Sequence, residues 1–394
     1  MDENVAVLEN LFREAKGPLV QAMDWANPFM SQIKRGGPEA FEGGTKIRVP
    51  MILAPHQGAG GGDESSILNA PERMATAYAQ IQTAILHITV GVTTLAELAA
   101  RGKDASWLTD LMQTKMEMAR EGYERVLCEM MAGDGTALIA AITGSSSSTT
   151  ITVGTTANWY WLYPERIADI LVRATGATVL QRVKIVDTDE AAGTVTVDQA
   201  VTVDNTMGFY IQGSYGKAIQ GILGATASTG IFQNMNRSNY PIWRGTKVSP
   251  TNAQDLTMAL LDKLEYQQGR RTNKTGDWLM GDPACIDLYA QNVGLQSEWS
   301  GDTAILRTGW QGVRYRNKAI IRDYNFSRRV VSVREEDVTI YQREAPDWDE
   351  LGGMFKRFSR SLPFEAWYVG HIQMGFHRCV TQGEIDNLNG AYDA

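Results

Sequence analysis

At 394 residues the chain exceeds the length at which a single hydrophobic core usually stops growing, so at least two sub-domains are expected. Hydrophobic residues make up 43% and charged residues 21%, which excludes a disordered chain. The net charge of −8 excludes a strongly basic nucleic-acid binder, though not one weakly basic face turned toward DNA.

Three cysteines, Cys128, Cys285 and Cys379, lie far apart with no C-x-x-C pair. Neither a disulfide framework nor a thiolate zinc site is expected, and a reducing cytoplasm fits. The most apolar run, Ala84 to Val92, is broken by His87, Thr89 and Gly91 and falls far short of the roughly 20 residues of a membrane span. The acidic opening Met-Asp-Glu-Asn lacks the basic and apolar regions of a secretory signal.

Residues 1–40 read as an arm. A short helical pattern (Val5, Leu8, Leu11, Phe12) runs into Gly17-Pro18 and then into a polar stretch with Pro28, Gly36, Gly37 and Pro38. That is too little apolar surface for a core, so the arm must dock on something else. From Thr45 to Pro55, Ile47, Val49, Met51 and Leu53 alternate with Lys46, Arg48, Pro50 and Ile52, the period of a strand. Pro50 has no N–H and puts this strand at an edge or in irregular pairing. A second strand-like run ends in Leu86, Ile88, Val90 and Val92. Between the two lies the glycine-rich tip Gly58–Asp63, which predicts a long hairpin reaching across a neighbour.

The clearest helix runs from about Asp104 to Met131. Its apolar positions (Trp107, Leu108, Leu111, Met112, Met116, Ala119, Tyr123, Val126, Leu127, Met130, Met131) fall in steps of three and four, with charges opposite. Asp104 or Ser106 can cap its start and Gly133-Asp134-Gly135 stops it. Residues 144–214 then turn rich in Ser, Thr and Val, with strands expected at 150–153, 181–187, 194–198 and 200–212, a small β insertion. Beyond 215 the pattern predicts helices at 252–268 and 283–292. Strands are expected at Asp277 to Met280, 313–322, 329–333, 337–342 and near 364–380. The class is α+β, without doubly wound βαβ repetition.

No chemistry stands out. His371, His377 and Cys379 are the nearest approach to a metal cluster, but in a strand 371 and 377 stand about 20 Å apart, too far to share an ion. His56 and His87 read as solvated or packed. The glycine run has no G-K-[ST], with Lys46 before it, and neither G-x-S-x-G nor H-E-x-x-H occurs. The acidic residues Glu335, Glu336, Asp337, Glu344, Asp347, Asp349 and Glu350 read as a solvated face. The basic groups Arg270/Arg271, Arg314/Arg316/Lys318, Arg328/Arg329 and Lys356/Arg357/Arg360 are dispersed, and pairing with the acidic runs across a subunit contact is the favoured reading. No catalytic, cofactor-binding or metal-binding residue is assigned, and no enzyme activity is expected.

The order of parts (arm, long hairpin, long helix, β insertion, α/β region, returning strand) resembles the HK97-like major capsid protein of tailed bacteriophages. So do Tyr215-Gly216-Lys217-Ala218-Ile219-Gln220-Gly221-Ile222 and Asn236-Arg237-Ser238-Asn239-Tyr240-Pro241-Ile242-Trp243-Arg244, which are similar to that family's G-I-x…R-S-x-x-P-x-W-R stretch. Gly43 to Pro50 and the closing Phe364-Glu365-Ala366-Trp367 to Val380 agree as well.

The resemblance implies an N-terminal arm at 1–40, an E-loop hairpin with its flanking strands at 41–93, and a peripheral domain with its spine helix at 94–148. It further implies a β-rich insertion at 149–214, an axial domain with connecting segments at 215–345, and a C-terminal return at 346–394. It implies self-assembly into hexamers and pentamers of a shell around double-stranded DNA, assembled in the host bacterial cytoplasm, with the E-loop over a neighbouring subunit. The implied partners are a separate scaffolding protein, a portal, a decoration protein and non-specific contact with packaged DNA; no cofactor and no membrane are implied. Residues 56–75 hold no lysine, so a shell without isopeptide cross-links is expected, and the insertion is expected to project outward. The alternatives are an encapsulin-type compartment holding enzyme cargo, a soluble α+β enzyme with an unrecognised site, and an extracellular β-rich adhesin.

Overall fold

The computed structural model describes residues 33–36, 46–54, 75–92, 106–154, 157–296, 304–305, 311–349, 356–357 and 364–390. After a short strand β1 (Lys34–Gly36), β2 (Lys46–Ala54) and β3 (Ala75–Gln82) form an antiparallel hairpin. The pairs Ile47–Ile81 and Val49–Ala79 face inward and are buried, while Lys46, Arg48, Pro50 and Ile52 face out, as the alternation requires. The tip Gly58–Asp63 and His56 lie outside the described residues.

The return strand differs from expectation. The run ending at Val92 is cut at Thr83, and β4 (Ala84–Val92) leaves the hairpin for another sheet. The physical cause is a change of phase. Ala79 and Ile81 are buried on odd numbers, whereas Ala84, Leu86 and Val90 are buried on even ones. A one-residue slip turns a strand over, so one side of the break serves the hairpin and the other serves a different core.

Helix α1 (Ser106–Ala132) is a rod of about 40 Å. Met116, Ala119, Tyr123, Leu127, Met130 and Met131 form its buried stripe, and it packs on β4. It stops where Gly133 N donates to Glu129 O at 2.9 Å. The cap candidate Asp104 lies outside the described residues. Tyr123 reaches β4's neighbour strand where Gly370 leaves room; a Cβ there would collide with the phenol oxygen.

Six strands follow consecutively: β5 (Leu138–Ala141), β6 (Ser146–Thr152), β7 (Ile167–Val172), β8 (Thr178–Asp189), β9 (Thr194–Val203) and β10 (Met207–Ile211). They make one antiparallel sheet in the order β5-β10-β7-β8-β9-β6. It begins at Leu138, and β7, which the sequence pattern missed, lies near its centre. Ala168 to Leu171 are all buried, so β7 carries no alternation to read. The serine-rich β6 is an edge. Where its register shifts, Ser146 and Ser148 hydroxyls donate to Thr150 O at 2.8 and 3.0 Å, occupying a carbonyl that an edge would otherwise leave open.

A short helix α2 (Ile222–Thr226) and the ribbon β11 (Ile231–Phe232) with β12 (Met235–Asn236) lead into the second half. There β13 (Thr246–Val248), α3 (Met258–Thr272), β14 (Trp278–Gly281), α4 (Pro283–Gln296), β15 (Ala304–Ile305), β16 (Gln311–Tyr315), β17 (Lys318–Arg322) and β18 (Val330–Val333) succeed one another. Helix α3 starts six residues later than the pattern suggested, because Thr257 caps it by accepting from Leu260 N; Asn273, in the left-handed region at φ 55°, ends it.

The chain closes with β19 (Val338–Trp348), β20 (Lys356–Arg357), β21 (Phe364–Phe376) and β22 (Gly383–Ile385). One sheet is mixed and seven-stranded, β13-β22-β18-β14-β17-β16-β15, and holds a core with Leu256, Leu260, Leu264, Ile286 and Ile320. Another runs β1-β19-β21-β20, with β4 also on β21, and shares the larger core with the hairpin, α1 and the six-stranded sheet.

The chain crosses between these two sheets twice, through residues 334–337 and 377–382, which lie side by side. His377 N donates to Asp337 O, and the Thr381 hydroxyl donates to the buried Asp337 carboxylate, both at 2.8 Å. Gln268 of α3 joins them by donating to Thr381 O at 2.9 Å.

Candidate interaction surfaces

His371, His377 and Cys379 do not converge. Strand β21 ends at Phe376, so His377 sits in the turn beyond it and Cys379 in the following 3-10 turn, and the alternation that would align them with His371 is lost. Among the described residues no group of three His, Cys, Asp or Glu side chains is placed to hold a metal ion. Cys379 is fully buried and burial pushes its thiol up to about 12, with the Arg237 guanidinium opposing, so it stays an unreactive thiol. His87 is exposed on β4.

His377 lies 3.4 Å from both the Thr339 hydroxyl and the Tyr341 hydroxyl, between Asp337 and Arg378. Burial is the main cause that holds its imidazole below the ordinary value of 6.5. A depressed pKa means that the unfolded chain takes up the proton first, so stability present above 6.5 is lost as the pH falls below it. His377→Asn is expected to flatten this acid limb, read from urea midpoints near about pH 7.5 and about pH 5.5. An unchanged slope would assign the acid sensitivity elsewhere.

The basic groups find much of their compensation within the chain rather than in the acidic runs. Arg316 pairs with Asp262 at 2.6 Å and Glu265 at 3.1 Å, and Lys318 pairs with Glu265, all on α3. Arg329 bonds the buried Glu384 at 2.8 Å, which also accepts from the Thr226 hydroxyl at 2.8 Å. Arg271 donates to Gly245 O and Pro241 O. In the acidic run Glu336 pairs with Arg334 at 2.7 Å and Asp337 is buried, so that run is not wholly a solvated face. Lys356 and Arg357 form β20; Arg360 and Glu350 lie outside the described residues.

The two motif segments fold into one knot. Arg237 is 2% exposed and has no carboxylate partner among the described residues. Its guanidinium donates instead to Gly224 O at 2.6 Å, Trp243 O and Ala225 O at 3.1 Å, and Thr229 O at 3.2 Å, over the Phe232 ring. Burial lowers its pKa. Trp243, 1% exposed, donates from its indole to Phe232 O at 3.1 Å. Gly221 lets this knot touch the end of α1: a Cβ would lie within 2.6 Å of Met130 O and closer still to Met131 O and Gly133 O. Arg237, Trp243 and Gly221 therefore fix a junction of helix and loop.

Other buried polar contacts gave no signal in the sequence. Glu129 and Arg166 form a two-pronged pair at 2.6 and 2.9 Å between α1 and the six-stranded sheet, both almost wholly buried. Burial raises the Glu129 carboxyl, against Arg166. The Trp161 indole donates to Asn325 Oδ1 at 3.0 Å and Asn158 to Asn325 O at 2.9 Å, tying the same sheet to the seven-stranded one. The insertion is thus wired into the body of the molecule.

Exposed aromatic side chains gather at two places among the described residues. On the outward face of the hairpin Pro50 pairs with Tyr78, and Ile52 and Tyr78 are 61% and 54% exposed. Between α1 and the loops at 160 and 324, exposed Tyr160 and Tyr324 stack at 5.8 Å, and the Arg125 guanidinium lies over the rings of Tyr160 and Tyr163. No helix among the described residues is long and apolar enough to cross a membrane.

No protein-family profile and no curated protein matches the chain. Solved structures do. A chain of the cyanophage A-1(L) capsid asymmetric unit is similar over 92% of this chain and 92% of its own, at 9% identity and a TM-score of 0.56. A chain of the capsid of Myoviridae phage XM1 is 9% identical over 91% and 90%, with a TM-score of 0.46. One from the SrpI encapsulin complex of Synechococcus elongatus PCC 7942 is 11% identical over 92% and 88%, with a TM-score of 0.44. Scores below 0.5 are too weak to bear on topology, so the first of these carries the comparison. The chain is an α+β protein with the fold of a phage capsid subunit.

Proposed function

We propose that the chain is the major capsid protein of a tailed bacteriophage, assembling into hexamers and pentamers of a closed shell around double-stranded DNA. The observation that carries this reading is the fold likeness to a cyanophage capsid chain, which spans 92% of both chains. In this reading the segment divisions 1–40, 41–93, 94–148, 149–214, 215–345 and 346–394 are the arm, the E-loop, the peripheral domain with α1 as its spine, the insertion, the axial domain and the return. The seven-stranded sheet belongs to the axial part. The hairpin supports it. Among the described residues β2 and β3 pair only with each other, and Ile52 and Tyr78 stay in water that a neighbouring subunit would displace. Burying such side chains is worth about 1.5–3 kcal/mol each, repeated around every ring of subunits. A scaffolding protein, a portal, a decoration protein and packaged DNA are the partners the reading calls for.

The test is negative-stain electron microscopy and light scattering of the chain expressed alone and with a co-expressed scaffold. Closed shells, tubes or rings are expected, and boiling them in detergent should release a monomer-sized band. A stable monodisperse monomer or dimer in both conditions would overturn the proposal. Enzyme cargo in place of DNA in native particles would move it to a compartment shell.

A further inference from the structure

A cavity of about 660 Å³ opens where the root of the hairpin, the loop at 216–220 and the β11–β12 turn come together. Gln373 of β21, 4% exposed, shapes its floor. Its side-chain oxygen accepts from Gln220 N at 2.8 Å and Met374 N at 3.1 Å, and its amide donates to Gln82 O at 2.9 Å. That one side chain holds the hairpin and the loop at a fixed separation.

The lining has an unusual balance. Among the described residues it includes Lys46 and Lys217, and no aspartate or glutamate. Neither ammonium group makes a hydrogen bond or ion pair among the described residues, and the same is true of the side-chain amides of Gln80, Gln82, Gln220 and Asn234. Ile85 and Ile231, 60% and 71% exposed, complete the rim. Two cations facing one cavity without a counter-charge repel each other, and an anion relieves that repulsion. Carboxamides both donate and accept, as peptide groups require. The isoleucines offer a seat for aliphatic side chains. A phosphodiester would use the lysines but neither the acceptors nor the isoleucines, and two lysines fall short of the roughly 6–10 phosphate contacts of a nucleic-acid surface. The chemistry selects an acidic peptide with interspersed aliphatic residues.

The chain contains such a peptide. Met1–Phe12 carries Asp2, Glu3 and Glu9 with Val5, Val7, Leu8 and Leu11, and no lysine or arginine. It belongs to the longest stretch outside the described residues, 1–32, which joins the described chain at Ile33, ahead of β1 in the sheet that contains Gln373. The twenty residues that follow Phe12 can span up to about 65 Å when extended. We propose that this cavity binds the acidic N-terminal segment Met1–Phe12, with Lys46 and Lys217 taking its carboxylates and Ile85 and Ile231 its aliphatic side chains.

Zero-length carbodiimide coupling of the full chain, mapped by mass spectrometry, tests this independently of shell assembly. The coupling joins a lysine amine to a carboxylate already in contact with it. The expected products link Lys46 or Lys217 to Asp2, Glu3 or Glu9, and the triple variant Asp2→Asn/Glu3→Gln/Glu9→Gln loses them. The exposed pair Lys184–Glu165 serves as the internal control that must couple in both proteins. Coupling of Lys46 and Lys217 to other carboxylates, or to none while the control couples, overturns the proposal. Shielding of the two lysines from acylation that disappears on nuclease treatment overturns it in favour of a phosphodiester. A second arm reads the segment itself: in Lys46→Gln/Lys217→Gln a glutamate-specific protease should cut at Glu3 and Glu9 faster than in the unaltered chain. Equal rates would also overturn it.

Discussion

Arg237→Ala is expected to destabilise the folded chain by about 3–5 kcal/mol, since each carbonyl left without a donor in a dry site costs ~1–3 kcal/mol and not all four can regain water. The guanidinium ties together Gly224, Ala225, Thr229 and Trp243, four points on a loop whose strand pairing among the described residues is limited to the two-residue ribbon β11–β12. Arg237→Lys should recover little of the loss. An ammonium has three donors around a point, whereas the carbonyls are spread around a plane that a guanidinium matches. Trp243 sits in the knot, and the loss is read from the denaturant midpoint of the chain's tryptophan emission, to which it contributes. A loss below ~1 kcal/mol for the alanine variant would mean that water already reaches these carbonyls.

The second large effect concerns Glu129 and Arg166. Removing either alone leaves the other charged and buried, at an expected cost of about 3–5 kcal/mol. Replacing both, as Glu129→Leu/Arg166→Met, should recover most of it, because two apolar side chains of similar size need no solvent compensation. A double variant as unstable as the worse single one would show that packing, and not the unpaired charge, sets the cost. The same contact bears on the β insertion. Excising residues 146–212 removes Arg166 and leaves Glu129 with only its longer 3.8 Å contact to Arg125 on α1, and it strips β5 of its partner β10. A clean excision of this insertion is therefore not available at those boundaries.

Much of the backbone was legible because local rules decide it. The hairpin strand β2 shows a period of two, α1 steps of three and four, and β14, α4 and β18 were located within a few residues of where they lie. What escaped depended on distant partners. The break at Thr83 is visible only once β21 is known to take up β4, and β7 has no polar face because both its sides are covered. Arg237 and Trp243 were found as a motif, but their part in tying carbonyls together required the loop's shape. Glu129 looked like one more charge on a charged helix face, and Gln373 like any polar residue in a strand. Each owes its role to a group more than thirty residues away.

The pairing of β4 with β21 also fixes the order in which the chain can mature. Gln373 bonds to Gln82 across 291 residues, and β22 lies between β13 and β18 in the seven-stranded sheet. Neither the five-stranded nor the seven-stranded sheet can close until the last tenth of the chain has left the ribosome. At about 5–20 residues per second, the apolar strand Ala84–Val92 waits tens of seconds for its neighbour, while the antiparallel sheet of 138–211 can form in the meantime. Folding is therefore post-translational for most of the core. The nascent chain carries an unpaired sticky strand through nearly its whole synthesis, the interval in which chaperones or premature contact with another copy would act.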